Sequence, residues 1–237
     1  MINWKRLALC TLLGILLMEL VIVLFTSPLL YVRNIKVTGN GSVPTADIIS
    51  QVQLPPTTNI FCIGKKDIKK RILRNPVVKE VEIYRQLPDV LDVRIVERKP
   101  IFILKSNGKL YEIDASNMPY RELKQWKPQV SVVYYNVPKK IVLGKPIRTP
   151  VLNAVGETLR LAREMGISQT GKITVDLNND LCLNVRDGIA IILGRPERLS
   201  DKLEKVARSA RQFPGFWERL EYMDVTSPGE PAIKYKE

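Results

Sequence analysis

The chain opens with an almost unbroken apolar run over residues 7–26, "LALCTLLGILLMELVIVLFT". In a helix rising about 1.5 Å per residue, such a run reaches roughly 30 Å, the thickness of a bilayer's hydrocarbon core. Cleavable signal peptides have shorter apolar cores and a small-x-small cleavage site, whereas this run ends in Thr-Ser-Pro. The pattern therefore predicts an uncleaved signal anchor, whose membrane-embedded residues include Leu7, Leu13, Leu17, Glu19 and Val23.

The flanking charges predict the orientation of this anchor. Lys5 and Arg6 precede the run, and cytoplasmic flanks of membrane spans are enriched in basic residues. Residues 1–6 are thus predicted to form a cytoplasmic tail, with everything after the span outside the cytoplasm. Glu19 lies within the span, where a carboxylate is costly. Two interpretations stay open: a contact with another membrane helix, or a protonated or snorkelling glutamate.

Residues 29–98 show strand and helix patterns in the order β-α-α-β-β. The helices have one apolar and one polar face, and the two later strands place apolar residues at every second position. Both helices are therefore expected to cover one face of a three-stranded sheet. The predicted elements are strand 33–38, helices 44–52 and 65–74, and the strands in "VVKEVEIYR" and "VLDVRIVER".

Residues 99–237 are richer in strand patterns. Asn107-Gly108 between two apolar-rich arms indicates a hairpin, and Ser227-Pro228-Gly229-Glu230 indicates a turn before a last strand at 232–235. Two helices are predicted, from Thr149-Pro150 to Gly166 and over 197–213. The fold class is α+β: one N-terminal transmembrane helix, a β-α-α-β-β domain, and a β-rich mixed-sheet domain with two helices.

The Gly39-Asn40-Gly41 stretch between the first strand and the first helix invites comparison with phosphate-binding loops. No Lys-Ser/Thr pair follows to complete a P-loop, and the GxGxxG pattern is absent. Glycine's access to positive φ suffices to explain a sharp corner here. We therefore interpret the stretch as a structural corner.

Composition removes many kinds of chemistry. The chain has no histidine, and its three cysteines lie far apart, so histidine-based catalysis, zinc sites and disulfide frameworks are not indicated. A Cys62–Cys182 bridge is conceivable in an oxidising compartment, but two buried thiols are the expected state. No carboxylate pair is singled out, although a wall hydrolase is an alternative worth naming. No catalytic residue, metal, cofactor or small-molecule substrate is predicted.

The formal net charge of +13 raises nucleic acid, anionic lipid and acidic proteins as partners. Because the predicted anchor places the bulk of the chain outside the cytoplasm, nucleic acid is not expected. The membrane itself and acidic protein partners fit that placement.

Several segments together resemble the FtsQ/DivIB family of bacterial cell-division proteins. "IKVTGN" and "NPVVKEVEIYRQLPDVLDVRIVERKP" resemble the POTRA domain of that family. "IILGRPERLSDKLEKV" resembles its L-G-R strand exit and following helix, and "YMDVTSPGEPAIKY" its closing strand pair. The resemblance covers nearly the whole chain.

The resemblance implies a non-enzymatic divisome scaffold in the cytoplasmic membrane at the division septum. Its extracytoplasmic sheet would bind FtsB/DivIC-like and FtsL-like bitopic proteins by strand addition, and its POTRA domain would meet other divisome proteins. The partner-binding residues implied are Arg195, Thr226, Ser227, Gly229, Ala232, Ile233 and Tyr235. Many relatives have arginine in place of Thr226 and an aromatic residue in place of Ser227, so the contact there is expected to differ.

Two alternatives accompany this interpretation. A POTRA-bearing component of protein translocation or outer-membrane assembly usually carries several POTRA repeats and a membrane β-barrel, and the sequence shows neither. At the level of single residues, Arg195 before Pro196 is also typical of an ordinary solvated arginine, because exposed ion pairs contribute little.

Overall fold

The computed structural model describes residues 4–126, 130–167, 171–185 and 188–236. The chain separates into two compact units, Met1–Glu97 and Arg98–Glu237. The side chains of residues 5–7, including that of the predicted anchor residue Leu7, lie outside the described part.

The first unit begins with helix α1, Trp4–Thr26. The helix is long and apolar enough over 8–26 to cross a membrane, and the side chains of Leu13, Leu17, Glu19 and Val23 are all exposed along it. A single turn of 3₁₀ helix, Pro28–Leu30, then leads into the rest of the unit.

The rest of the first unit has the predicted β-α-α-β-β order. Its elements are β1 Asn34–Thr38, α2 Thr45–Val52, α3 Lys65–Ile72, β2 Val78–Gln86 and β3 Val90–Glu97. The sheet order is β1-β3-β2, with β1 parallel and β2 antiparallel to the central strand. Apolar residues of both helices and one face of the sheet share a single core, which confirms the predicted arrangement; they include Ile48, Val52, Ile68, Ile72, Leu91, Val93 and Ile95.

The glycine corner between β1 and α2 binds an anion supplied by the chain itself. The Glu97 carboxylate accepts hydrogen bonds from the backbone N–H groups of Gly41 at 2.8 Å, Ser42 at 3.0 Å and Val43 at 2.9 Å. The Ser42 hydroxyl donates a further bond of 2.6 Å. Burial alone would raise the pKa of Glu97, but these donors outweigh it and lower the pKa to about 2. The corner is thus closed by the last residue of β3.

We expect Glu97→Gln to destabilise the first unit by about 1–2 kcal/mol, because a neutral amide accepts weaker hydrogen bonds than a carboxylate. Since the folded-state pKa lies below the ordinary value of 4.5, the stabilisation from Glu97 is complete above that value and is lost as the pH falls towards 2. Hydrogen exchange of β3 amides at pH 7 and pH 3 measures both effects. Glu80→Gln, on the exposed face of β2, is the control and should change neither.

The second unit is built on one nine-stranded sheet, in the order β12-β11-β10-β9-β8-β7-β4-β5-β6. Three neighbouring pairs are parallel and the others antiparallel, so the sheet is mixed, as predicted. Its strands are β4 Phe102–Ser106, β5 Lys109–Ile113, β6 Pro119–Leu123, β7 Val132–Tyr134, β8 Lys172–Val175, β9 Leu181–Asn184, β10 Ala190–Gly194, β11 Leu220–Asp224 and β12 Ala232–Tyr235.

Helices α4, Pro150–Glu164, and α5, Leu199–Gln212, pack together on this sheet. Their buried stripes join the inward-facing strand residues in one core, which includes Leu152, Val155, Leu203, Val206, Ile191 and Met223. Burial of these apolar faces supplies most of the stability of such helices, and the intrinsic helix propensity of their residues contributes less.

Two details differ from the sequence-based expectations. A one-turn helix, α6 Phe216–Arg219, adds a third helix to the second unit. Cys62 is exposed and Cys182 half-buried, and both are free thiols, so the expectation of two buried thiols is wrong for Cys62, which ends a short 3₁₀ turn.

Candidate functional site

Strand β12 forms one edge of the nine-stranded sheet. It pairs antiparallel with β11 on one side, and within the described ranges no strand pairs with its other side. Three of the predicted partner-binding residues, Ala232, Ile233 and Tyr235, are on this strand. The edge is therefore available for an added strand, which is the geometry that β-augmentation requires.

The register shows which backbone groups of β12 face outward. The Lys236 N–H donates to the carbonyl of Arg219 at 2.8 Å, on the β11 side. Because N–H and C=O groups alternate between the two sides of an antiparallel strand, those of Ile233 and Tyr235 point to the open edge. An incoming strand would pair with these two residues.

The side chains of the same two residues lie on one face of β12, where that of Tyr235 remains 38% exposed. Ile233 packs against the core of the second unit, and the Arg219 guanidinium lies 5.2 Å from the centre of the Tyr235 ring. On the outer face, Lys234 forms an ion pair of 3.0 Å with Glu221, and the bond to Glu221 raises the pKa of Lys234. The edge strand is thus fixed from both faces while its backbone edge stays open.

Arg195, Thr226 and Ser227 meet at a separate cleft of about 380 Å³ between the end of β10 and the start of α5. Arg195 is exposed there. The cleft is rich in basic groups, with Arg198, Lys202 and Lys205 beside Arg195, although Asp180, Glu197 and Asp201 also line it. Gly229 belongs to the loop that connects this cleft to β12.

Thr226 is engaged within the chain. Its N–H and hydroxyl both donate to the Asp224 carboxylate, at 2.8 and 2.7 Å. Its methyl group packs over Gly194, where an added Cβ would lie 2.8 Å from Thr226 Cγ2. Thr226 therefore shapes the turn after β11, and a direct role in partner binding stays a prediction.

Two lysines of α5 hold the cleft together, and the sequence interpretation did not single them out. Lys202 Nζ donates to the carbonyls of Leu193 at 2.6 Å and Arg195 at 2.8 Å, and burial lowers its pKa. Lys205 Nζ donates to the carbonyls of the 227–229 turn. Their spacing of three residues, which places both on one helix face, is the only sequence signal that could have indicated them.

The chain is similar to known cell-division proteins. A family profile described as "POTRA domain, FtsQ-type" matches residues 30–98, which covers the sheet and helices of the first unit. Cell division protein FtsQ of Mycobacterium bovis is 24% identical over 211 residues, covering 89% of this chain and 63% of the relative. The chain thus spans less than two thirds of that protein's length.

Two further relatives match over larger shares of their own length. Cell division protein DivIB of Clostridium tetani is 25% identical over 94% of this chain and 86% of the relative. Cell division protein FtsQ of Mycobacteroides abscessus is 26% identical over 97% of this chain and 70% of the relative. Together, the POTRA match over the first unit and these relatives over most of the chain support assignment to the FtsQ/DivIB family of cell-division proteins.

Proposed function

We propose that this protein is a non-enzymatic scaffold of the bacterial division machinery that binds a bitopic partner by strand addition to β12. The cell-division names of its relatives support a divisome role, and their family is not known for enzymes. The single observation that carries the docking mode is the open backbone edge of β12.

The proposed setting follows from α1. Residues 7–26 would cross the cytoplasmic membrane once, with residues 1–6 in the cytoplasm and both the POTRA domain, 29–98, and the β-domain, 99–237, outside it at the septum. The partners would be FtsB/DivIC-like and FtsL-like proteins, which also cross the membrane once in this proposal. Other divisome proteins would meet the POTRA domain.

In the proposed binding mode, different groups of this protein determine the affinity and the specificity for the partner. Backbone hydrogen bonds from Ile233 and Tyr235 to the added strand would supply affinity independently of sequence. Acidic residues of the partner would lie near Arg195, whose guanidinium has no ion-pair partner among the described residues. Such charge complementarity mainly affects association rate and specificity.

The test is Ile233→Pro in the full chain, reconstituted in nanodiscs with the FtsB/DivIC-like protein of the same organism. Proline removes an outward N–H while leaving the β11–β12 hydrogen bonds in place. We expect affinity to fall at least tenfold, about 1.4 kcal/mol. Ile233→Ala is the matched control, because it removes the side chain and keeps the N–H.

Hydrogen exchange of β11 amides shows whether β12 stays paired in the proline variant. Retained protection with the expected loss of binding supports strand addition. Unchanged affinity of the proline variant, or an equal loss in Ile233→Ala, contradicts it.

A further inference from the structure

The end of α1 is attached to the first unit by a buried asparagine. Asn59, 5% exposed, donates from Nδ2 to the carbonyls of Leu24 at 3.0 Å and Phe25 at 3.1 Å. Its Oδ1 accepts from the Phe61 N–H at 2.9 Å. Because the last carbonyls of a helix have no partner within the helix, this side chain satisfies two of them and joins α1 to the loop after α2.

Two more backbone contacts show which end of the sheet receives α1. The Val32 N–H donates to the Thr58 carbonyl at 3.0 Å, and the Arg33 N–H donates to the Asp89 carbonyl at 3.0 Å. The loop after α2 and the β2–β3 turn therefore both lie where α1 ends. Gly39 and Glu97 lie at the opposite end of the sheet, because β1 and β3 both run away from α1.

We define the anchor-side end of the first unit by Leu29, Arg33, Arg85 and Leu87. Leu29 is 70% exposed and Leu87 62% exposed, although both are large apolar side chains. Arg33 and Arg85 are exposed beside them. The Arg85 guanidinium donates to the carbonyls of Phe61 at 3.1 Å and Ile63 at 3.2 Å, which holds it at this end.

Basic side chains outnumber acidic ones at this end. Lys65 begins α3 just after Ile63, whose carbonyl accepts from Arg85, and adds a third cationic group, whereas Asp89 of the β2–β3 turn is acidic. Exposed leucines flanked by arginine and lysine are typical of surfaces that lie at the membrane interface, where apolar tips enter the acyl boundary and cations contact lipid phosphates.

We propose that the anchor-side end rests on the headgroup region of the bilayer that α1 crosses, with Leu29 and Leu87 in the interface and Arg33 and Arg85 against anionic phospholipid phosphates. The proposal rests on α1 spanning a membrane, as proposed above. A bilayer is the occupant that the structure favours, because the same hydrogen bonds that attach α1 also place these four residues at its end.

The test uses fluorescence quenching in nanodiscs with the full chain. Cys10, Cys62 and Cys182 are replaced by serine, and an environment-sensitive dye is attached to a single cysteine introduced by Leu87→Cys, Leu73→Cys or Val23→Cys. Leu73, 44% exposed, is the matched control, since it lies beyond α3 near the start of β2. The eight residues of α3, which begins just after the Ile63 carbonyl that Arg85 contacts, carry the chain about 12 Å towards the start of β2 before Leu73.

Spin-labelled lipids with a quencher near the headgroups should quench the dye at position 87 at least about threefold more than at position 73, because position 73 lies beyond the length of α3. A quencher deep in the acyl chains should quench position 23. If the deep quencher acts at position 23 but the headgroup quencher acts equally at positions 87 and 73, the interface proposal is overturned, although α1 still spans the bilayer. No quenching at 23 shows that α1 does not span, and both proposals then fail.

The charge component is tested by lipid composition. Adding phosphatidylglycerol to phosphatidylcholine nanodiscs should increase quenching at position 87. Arg33→Gln should reduce that increase, whereas Arg74→Gln, at the other end of the unit, should not. An equal increase in both variants overturns the assignment of Arg33 to lipid phosphates.

Discussion

Gly39→Ala is expected to destabilise the first unit by about 3 kcal/mol or more. Gly39 has a φ of +83°, and an added Cβ would lie 2.1 Å from the carbonyl oxygen of Ile95. Left-handed backbone strain alone costs about 1–2 kcal/mol. The clash adds to it, because Ile95 is in β3, the central strand, which cannot move away without breaking its pairing with β1 or β2.

Gly41→Ala is the matched control two residues away. Its added Cβ would meet only Glu97 Oε2, at 3.8 Å, which is ordinary van der Waals contact, so we expect a change within about 0.5 kcal/mol. Urea titration of the full chain, read by hydrogen exchange of β1 and β3 amides, measures both variants. Equal stabilities for the two would show that the corner does not require glycine at position 39.

The glycine corner also shows where sequence reasoning ends. The corner itself could be predicted, because Gly-Asn-Gly between a strand and a helix is a local signal. Its occupant could not be predicted: Glu97 lies 56 residues from Gly41, and the sequence places no constraint on which carboxylate reaches the three N–H groups. The loop does bind an anion through its backbone N–H groups, but that anion is the side chain of Glu97.

Secondary structure could be predicted where the spacing of apolar residues repeats with the helix or strand period over several residues. The stripe of α4 and the alternation in β2 and β3 match the structure closely because burial repeats with the helix or strand period. Helix α6 has four residues, too few for a period. Cys62 ends a three-residue 3₁₀ turn, where no pattern distinguishes an inward from an outward side chain.

The position of β12 at the edge of the sheet depends on how the strands pair in the tertiary structure, which local sequence patterns do not determine. Sequence order suggests that the last strand ends the sheet, but β11 pairs parallel with β10, and α5 and α6 intervene between them. A different crossover would have placed β12 between two strands. Likewise, Arg195 and Thr226 lie 31 residues apart in the sequence, and it is the β10–β11 pairing that brings them to one cleft.

That pairing also predicts a coupling between Gly194 and Thr226. We expect Gly194→Ala to destabilise the second unit by about 2–3 kcal/mol, because φ is +62° and the new Cβ would lie 2.8 Å from Thr226 Cγ2. Thr226 cannot easily turn away, since its hydroxyl is bonded to Asp224. Gly166→Ala is the matched control: φ is +72° with nothing within 4 Å, so only about 1 kcal/mol of backbone strain is expected.

Thr226→Ser removes the clashing methyl group and keeps the hydroxyl. In that background Gly194→Ala should cost only about 1 kcal/mol, so the double variant should be about 1–2 kcal/mol more stable than the sum of the single changes predicts. Urea unfolding followed by the fluorescence of Trp217, which packs against the core of the second unit, measures all four members of the cycle. Additive free energies of unfolding would mean that the Thr226 methyl group does not restrict position 194, and that the close approach of β10 to the turn after β11 is not what requires a glycine before Arg195.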